Sequence, residues 1–408
     1  MQKQGSSAVF LAVVLACLMS ITLTLVFAGR MQAQISIADG SLDLASVSLL
    51  SEYDYYVQQD YGLFLLQGSD AQLSADLRDY TRLNAKASAG RFCLVNTDEV
   101  RAQIMEYMKT GGARHMISEA ISGEENTMPG ATPDMTRSPG NESSESAARD
   151  RTLRHGPTIT SLPSRAVPDS DIVTTAWKLG ESLTNPEAIF RTGSDQFFIT
   201  EYILQKFNRT GSIRGTDHFF SSEVEYIISG ELSDVQNKRQ TDLALEAVRS
   251  GLNLTHIYSD PEKMSLVSAA AEAITPGPLG AVTQFAIAAA WSAAEAVNDV
   301  KLLHKDHKVP LVKTAASWAI DLDTVLEGYS GEDGCVYPQI NTGRTYEDYL
   351  RILLYAKDDT IKTARILDLI QINMRKNHDE AFLIQECATG VSVSADVNGK
   401  KLSRDRVY

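Results

Sequence analysis

Charge is missing from one part of this chain. From Ala8 to Ala28 the sequence reads AVFLAVVLACLMSITLTLVFA, 21 residues with neither an acid nor a base. Cysteine is scarce as well, with four in 408 residues. Cys17 lies inside the uncharged stretch, and Cys93, Cys335 and Cys387 are far apart. That spacing excludes a disulfide framework and a zinc site of the CxxC kind. A single Cys335–Cys387 pair and three free thiols both stay open. Bases are too few to balance acids: 38 Lys and Arg stand against 52 Asp and Glu, for a net charge of −14. This excludes a nucleic-acid partner, which needs a basic face, and peripheral attachment to anionic lipid. There is no Walker loop, no GxSxG, no HExxH and no glycine-rich dinucleotide fingerprint. No catalytic residue, metal ligand, cofactor site or small-molecule site is read from the sequence, and the chain is expected not to be an enzyme.

What is present begins with that apolar run. At 1.5 Å per residue, a helix of this length crosses a hydrocarbon core of about 30 Å. Two readings compete. One is a cleaved signal peptide, with Ala28 and Gly29 flanking the cut. The other is a retained anchor, which the length favours, because the apolar region of a signal peptide is usually shorter. Lys3 on the short side favours a cytoplasmic N-terminus and an extracytoplasmic bulk. A third feature lies just before the run. Gly5-Ser6 closes a short basic leader, the arrangement of pilin-like precursors, so processing after Gly5 is a further candidate. Such precursors typically carry an acid five residues on, where this chain has Phe10. That departure points to an accessory subunit and not to a main filament subunit.

Beyond Arg30 the apolar periodicity continues. Ile35, Ala38, Leu42, Ala45, Leu49 and Tyr56 recur at helical spacing between acids. The anchor is therefore expected to extend as one helix to about Gln59. Ile35, Leu42, Leu49 and Tyr56 form a candidate interaction face, which would pack either on the chain's own domain or on neighbouring subunits. The spacing predicts a strand at Tyr61–Leu66, a helix over Ala71–Lys86, a short strand at Arg91–Asn96 and a helix over Asp98–Met108. From 122 to 170 large apolar residues nearly vanish, and a disordered linker or insertion is expected.

From 171 onward the reading is mainly helical. Helices are expected over Ser194–Phe207, Val235–Tyr258, from Pro261, over Tyr346–Tyr355 and over Asp359–Arg375. Ser222–Ser229 alternates and reads as a strand. Leu279–Val297 is alanine-rich and carries Glu295, and it is read as a buried core helix in preference to a second span. Alternating Val391, Val393, Ala395 and Val397 before Asn398-Gly399 predict a terminal hairpin. His304 and His307 in HKDHK, and the acidic pairs, read as solvated surface.

Several segments in order resemble an uncharacterised family of Gram-positive bacterial membrane proteins, domain of unknown function 5702. They are Gly5-Ser6 with Val9-Phe10-Leu11, Glu52-Tyr53-Asp54 with Tyr61-Gly62-Leu63-Phe64, and Glu225–Gly230. Gly251–Leu254 with Asp260–Lys263, Val309–Thr314, Asp348–Arg351 and Asp368–Arg375 complete the set. The resemblance assigns no activity and no residue role. Its N-terminal design resembles TadE/TadG pseudopilins of tight-adherence pilus systems. That implies pilus or secretion-system subunits, beside the lipid bilayer, as partners.

The expected fold is α+β, mainly α, in five parts. Residues 1–7 are a cytoplasmic leader and 8–28 a single-pass transmembrane anchor. Residues 29–121 are a membrane-proximal helix with a small α/β region, 122–170 the linker, and 171–408 a mainly helical extracytoplasmic domain with a few short strands and the hairpin.

Overall fold

The computed structural model describes residues 4–82, 86–112, 151–153, 157–182, 194–214, 217–329 and 334–408. The chain is mainly helical and divides into two units, Met1–Glu99 with Leu383–Tyr408, and Val100–Phe382.

Unit 1 is built on α1 (Gln4–Leu50), 47 residues without a break and about 70 Å long. Among the described residues it is the one helix long and apolar enough to cross a membrane. Its two halves meet different surroundings. Every residue from Ala8 to Arg30 is exposed. In the second half Ile35, Ala38, Leu42, Ala45 and Leu49 are buried. Their partners come from α3 (Asp70–Thr81), β1 (Lys86–Leu94), β2 (Ala388–Val397) and β3 (Lys400–Val407). The sheet has the order β1-β2-β3 and is antiparallel throughout. Val391, Val393 and Ala395 alternate along β2, so all three side chains reach the same core as Leu42, Leu49, Leu73 and Leu77. Burying a leucine or isoleucine fully contributes about 1.5–3 kcal/mol. The acids between the apolar positions of α1 meet β3: Arg404 binds Asp39 at 2.8 Å and Arg406 binds Asp43 at 2.7 Å.

Three expectations for this unit change. The helix stops at Leu50 instead of Gln59. Tyr408 donates to the Leu50 carbonyl, and the Asp54 side chain accepts from Val57 N, starting a separate short helix, α2 (Tyr55–Tyr61). Tyr61–Leu66 is not a strand. Gly62 closes α2 at φ +72°, and Leu66 makes a single bridge to Ala388. The terminal hairpin does form, with Asn398 and Gly399 at φ +56° and +82°. However, it belongs with residues 1–99 and not with the helical domain, because β2 pairs along the length of β1.

α4 (Thr97–Tyr107) carries the chain across the division. Unit 2 then comprises α5 (Ile172–Ser182), α6 (Ser194–Lys206), α7 (Glu223–Ser229), α8 (Asp234–Ser259), α9 (Pro261–Ile274) and α10 (Gly280–His304). It ends with α11 (Leu322–Leu326), α12 (Tyr346–Ala356) and α13 (Asp359–Asn377). α13 is buried at every position from Ile361 to Met374, polar ones included. α8 packs on α5 and α10. Asp260 ends α8 and starts α9, its carboxylate accepting from Glu262 N and Lys263 N ahead of a turn of helix opened by Pro261.

Unit 2 brings further corrections. Ser222–Ser229 is the helix α7 and not a strand. Glu223 to Ile228 are all buried, so the alternation carries no facing information. Of the expected linker 122–170, residues 122–150 and 154–156 lie outside the described residues, but part of 157–170 is docked on unit 2. Ile159 and Leu162 are buried, and Ser164 N donates to Asp368 on α13. α10 is a core helix from Ile287 onward and not over its first turns. Val282 and Phe285 are exposed, while Ile287, Ala288, Trp291, Glu295, Asp299 and Leu303 are buried. All four cysteines are free.

Arg365 of α13 closes α7. Its guanidinium donates to the carbonyls of Ile227, Ile228 and Ser229 and pairs with Asp169. These are carbonyls that a helix end leaves without partners. Gly230 follows at φ +77°, and a Cβ there would sit 2.0 Å from Arg365 Nη2. Gly211 has the same backbone sign, φ +82°, in open space. We therefore expect Gly230→Ala to cost about 3 kcal/mol in urea unfolding, from backbone strain plus the displaced arginine, and Gly211→Ala about 1 kcal/mol. Equal costs would contradict the assignment of Arg365.

Candidate functional site

The residues singled out in the sequence are placed as follows. Gly5 and Ser6 lie in the first turns of α1, and Ala28 and Gly29 at its exposed middle, where the helix runs on unbroken. Ile35, Leu42 and Leu49 are buried on the chain's own sheet and α3. Tyr56 lies on α2, is 46% exposed, and its ring meets Tyr55 edge-on at 5.6 Å. The structure thus brings three of the four interface candidates together, on the inner side of α1.

The most polar interior lies in unit 2. Arg249 of α8, fully buried, binds Asp299 of α10 at 2.9 Å. Its other nitrogens donate to the Pro310 and Leu311 carbonyls, Tyr349 Oη and Asn253 Oδ1. Lys313 inserts its ammonium between Asp299, at 2.6 Å, and Glu295. Glu295 also accepts from Ala319 N at 3.0 Å and Ile320 N at 2.8 Å. Burial pushes the Glu295 carboxyl above its ordinary range, and Lys313 opposes that rise. Burial also pushes the Tyr349 hydroxyl up to about 12. Two cations and two carboxylates therefore fasten the irregular segment 309–320 to α8 and α10.

This fastening positions a cleft. Trp291 and Trp318 both donate Nε1–H to the Ile320 carbonyl, at 2.7 and 2.8 Å, and their rings meet edge-on at 5.3 Å. Lys263 of α9 places its ammonium 4.3 Å from the Trp318 ring centre and 4.9 Å from that of Trp291. The cleft has a volume of about 660 Å³, and its walls carry Asp260, Glu262, Asp321 and Asp323. Burial lowers the Lys263 ammonium below the ordinary lysine value, although Asp260, Glu295 and Asp321 pull the other way. Burial, reinforced by the neighbouring Lys263 charge, likewise lowers His256, whose ring stands 5.5 Å from Trp318. Among the described residues, no group of three or more His, Cys, Asp or Glu side chains is placed to hold a metal ion.

Sequence reasoning named Glu295 only as an argument against a second span, and it missed Lys313, Asp299, Arg249 and Lys263. The one available signal was the placement of two of the three tryptophans, Trp291 and Trp318, near charged residues.

The comparison with known families fits this helical unit. The chain belongs to the Family of unknown function (DUF5702). The match covers residues 157–399, more than half of the chain. It takes in the charge network and the cleft and leaves out α1. No curated protein and no solved structure matches the chain.

Two outcomes are expected. Lys313→Met strands two buried carboxylates and should cost about 3–5 kcal/mol, read by denaturant unfolding. Lys263 binds fewer protons folded than unfolded just below pH 10.5, so its burial penalty is present at neutral pH and is relieved as pH rises through that window. NMR of the protein with isotopically methylated lysines should show an amine, lost in Lys263→Met, that titrates below the ordinary lysine value.

Proposed function

We propose that this protein is a membrane-anchored, non-enzymatic accessory component of a Tad-like pilus or secretion apparatus. In this reading Ala8–Ala28 is a retained single-pass anchor. The short N-terminus is cytoplasmic, and the chain beyond the anchor is extracytoplasmic. The observation that carries the reading is the build of unit 1. One helix presents a bare apolar half and then seats its other half on a small antiparallel sheet. A pilin-like subunit has the same division of labour, with a membrane-held half and a half that carries the globular part. The Gly5-Ser6 leader supports the likeness. Phe10, where pilins typically carry an acid, supports an accessory place over a main-subunit place. The uninterrupted helix through Ala28–Gly29 supports retention over cleavage there. Net charge keeps nucleic acid out of the reading, and no cofactor enters it.

The test is affinity capture from crosslinked membranes of the native host, together with N-terminal sequencing of the mature protein. The reading expects pilus or secretion-system subunits in the eluate, and an N-terminus at Met1 or Ser6. A capture free of such subunits, or a mature N-terminus at Gly29 in the medium, would sink it.

A second reading is favoured by one observation, the cleft whose carboxylates come from α9 and from the segment leading into α11. It makes the protein a membrane-tethered envelope enzyme. Complementation separates the two. Lys263→Met and Asp321→Asn should restore a deletion strain under the scaffold reading and fail under the enzymatic one.

A further inference from the structure

The second half of α1 is apolar on two sides. One side is used on the sheet. The other carries Ile37, Leu44 and Val47, which are 68%, 71% and 50% exposed. Ser36, Asp39 and Asp43 on one flank and Gln34 and Ser41 on the other separate it from the inner side, so it is a second, distinct apolar stripe. Ala33 and Gly40 lie on the same open side, and the five positions are spaced four, three, four and three. This is the 3.5-residue repeat of a coiled-coil seam. The geometry points to a second copy of this chain as the occupant, with two α1 helices packed in parallel along Ala33, Ile37, Gly40, Leu44 and Val47.

Three observations select a second copy. First, anchoring by the preceding span places all copies in the same orientation and at the same height above the bilayer. Identical seams then meet in register without further design, each residue facing its own counterpart. Second, the stripe is uncharged from Ala33 to Val47, whereas the whole chain carries a net charge of −14. Two copies of like net charge meet here without apposing charged side chains. Third, Gly40 has no reason to be glycine within its own chain. It sits inside a regular helix, a Cβ would meet nothing within 4 Å, and its φ is not positive. Glycine in a helix interior costs up to about 1 kcal/mol relative to alanine. Close approach of a second backbone accounts for it, as small residues do between packed membrane helices. The inference rests on the anchored-helix part of the proposed function and not on the pilus.

The test uses the full-length protein in membranes, in a background where Cys17, Cys93 and Cys335 are replaced by alanine or serine. Single cysteines are introduced as Ile37→Cys, Leu44→Cys and, as an exposed control about 100° around the helix, Gln32→Cys. Mild oxidation should convert the first two to disulfide-linked dimers at least five-fold more completely than the third. Gly40→Phe should lower the Ile37→Cys yield about ten-fold and leave the unfolding midpoint of the detergent-solubilised monomer unchanged. Equal yields at all three sites, no dimer at any, crosslinking to a different protein, or a Gly40→Phe dimer as strong as the parent would each overturn the proposal. Dimers without pilus subunits in the capture experiment would remove the proposed function and leave the seam standing. Captured subunits without dimers would do the reverse.

Discussion

Unit 1 depends on the seating of α1 against β2 and β3. Residues 388–407 form a hairpin that has little to bury alone. Pairing with β1 makes it a sheet, and Leu42, Ala45 and Leu49 give that sheet a face to cover. The Arg404–Asp39 and Arg406–Asp43 pairs add orientation more than energy, since exposed ion pairs contribute about 0–1 kcal/mol each. The consequence is mechanical. The exposed apolar half of α1 runs without a break into the half that carries the sheet, with no flexible linker between them.

Unit 2 is held by a different balance. Charged groups penetrate its interior. Arg249, Asp299, Lys313 and Glu295 are each nearly or fully buried, and all of them are paired. Such clusters seldom add net stability over an apolar core, and they are costly to break. What this one accomplishes is positional. It fixes an irregular segment on two helices, and through Ile320 it orients both tryptophans of the cleft.

Much of this architecture is legible in the sequence where periodicity is long. The α1 stripe, α8, α12, α13 and the Asn398-Gly399 hairpin all follow from spacing and turn chemistry. Legibility fails where burial is complete or partners are distant. Glu223 and Glu225 are as buried as their apolar neighbours, so α7 reads falsely as alternating. The stretch 157–170 is poor in large apolar residues, yet Ile159, Leu162 and the bond from Ser164 N to Asp368 dock it on α13. In the charge network Arg249 and Asp299 are 50 positions apart and Glu295 and Lys313 are 18 apart, and no local pattern announces it. The outer stripe of α1 is visible in the sequence only once the inner stripe has been assigned, because the two interleave along the same residues.

The central claim is that α1 is one rigid helix serving two environments. Residue-resolved hydrogen exchange on the full-length protein in bilayers tests it most directly. The account predicts slow exchange without interruption from Ala8 to Leu49, protected first by lipid and then by the sheet. A fast-exchanging gap around Gly29–Met31, or an unprotected stretch from Ile35 to Leu49, would contradict it.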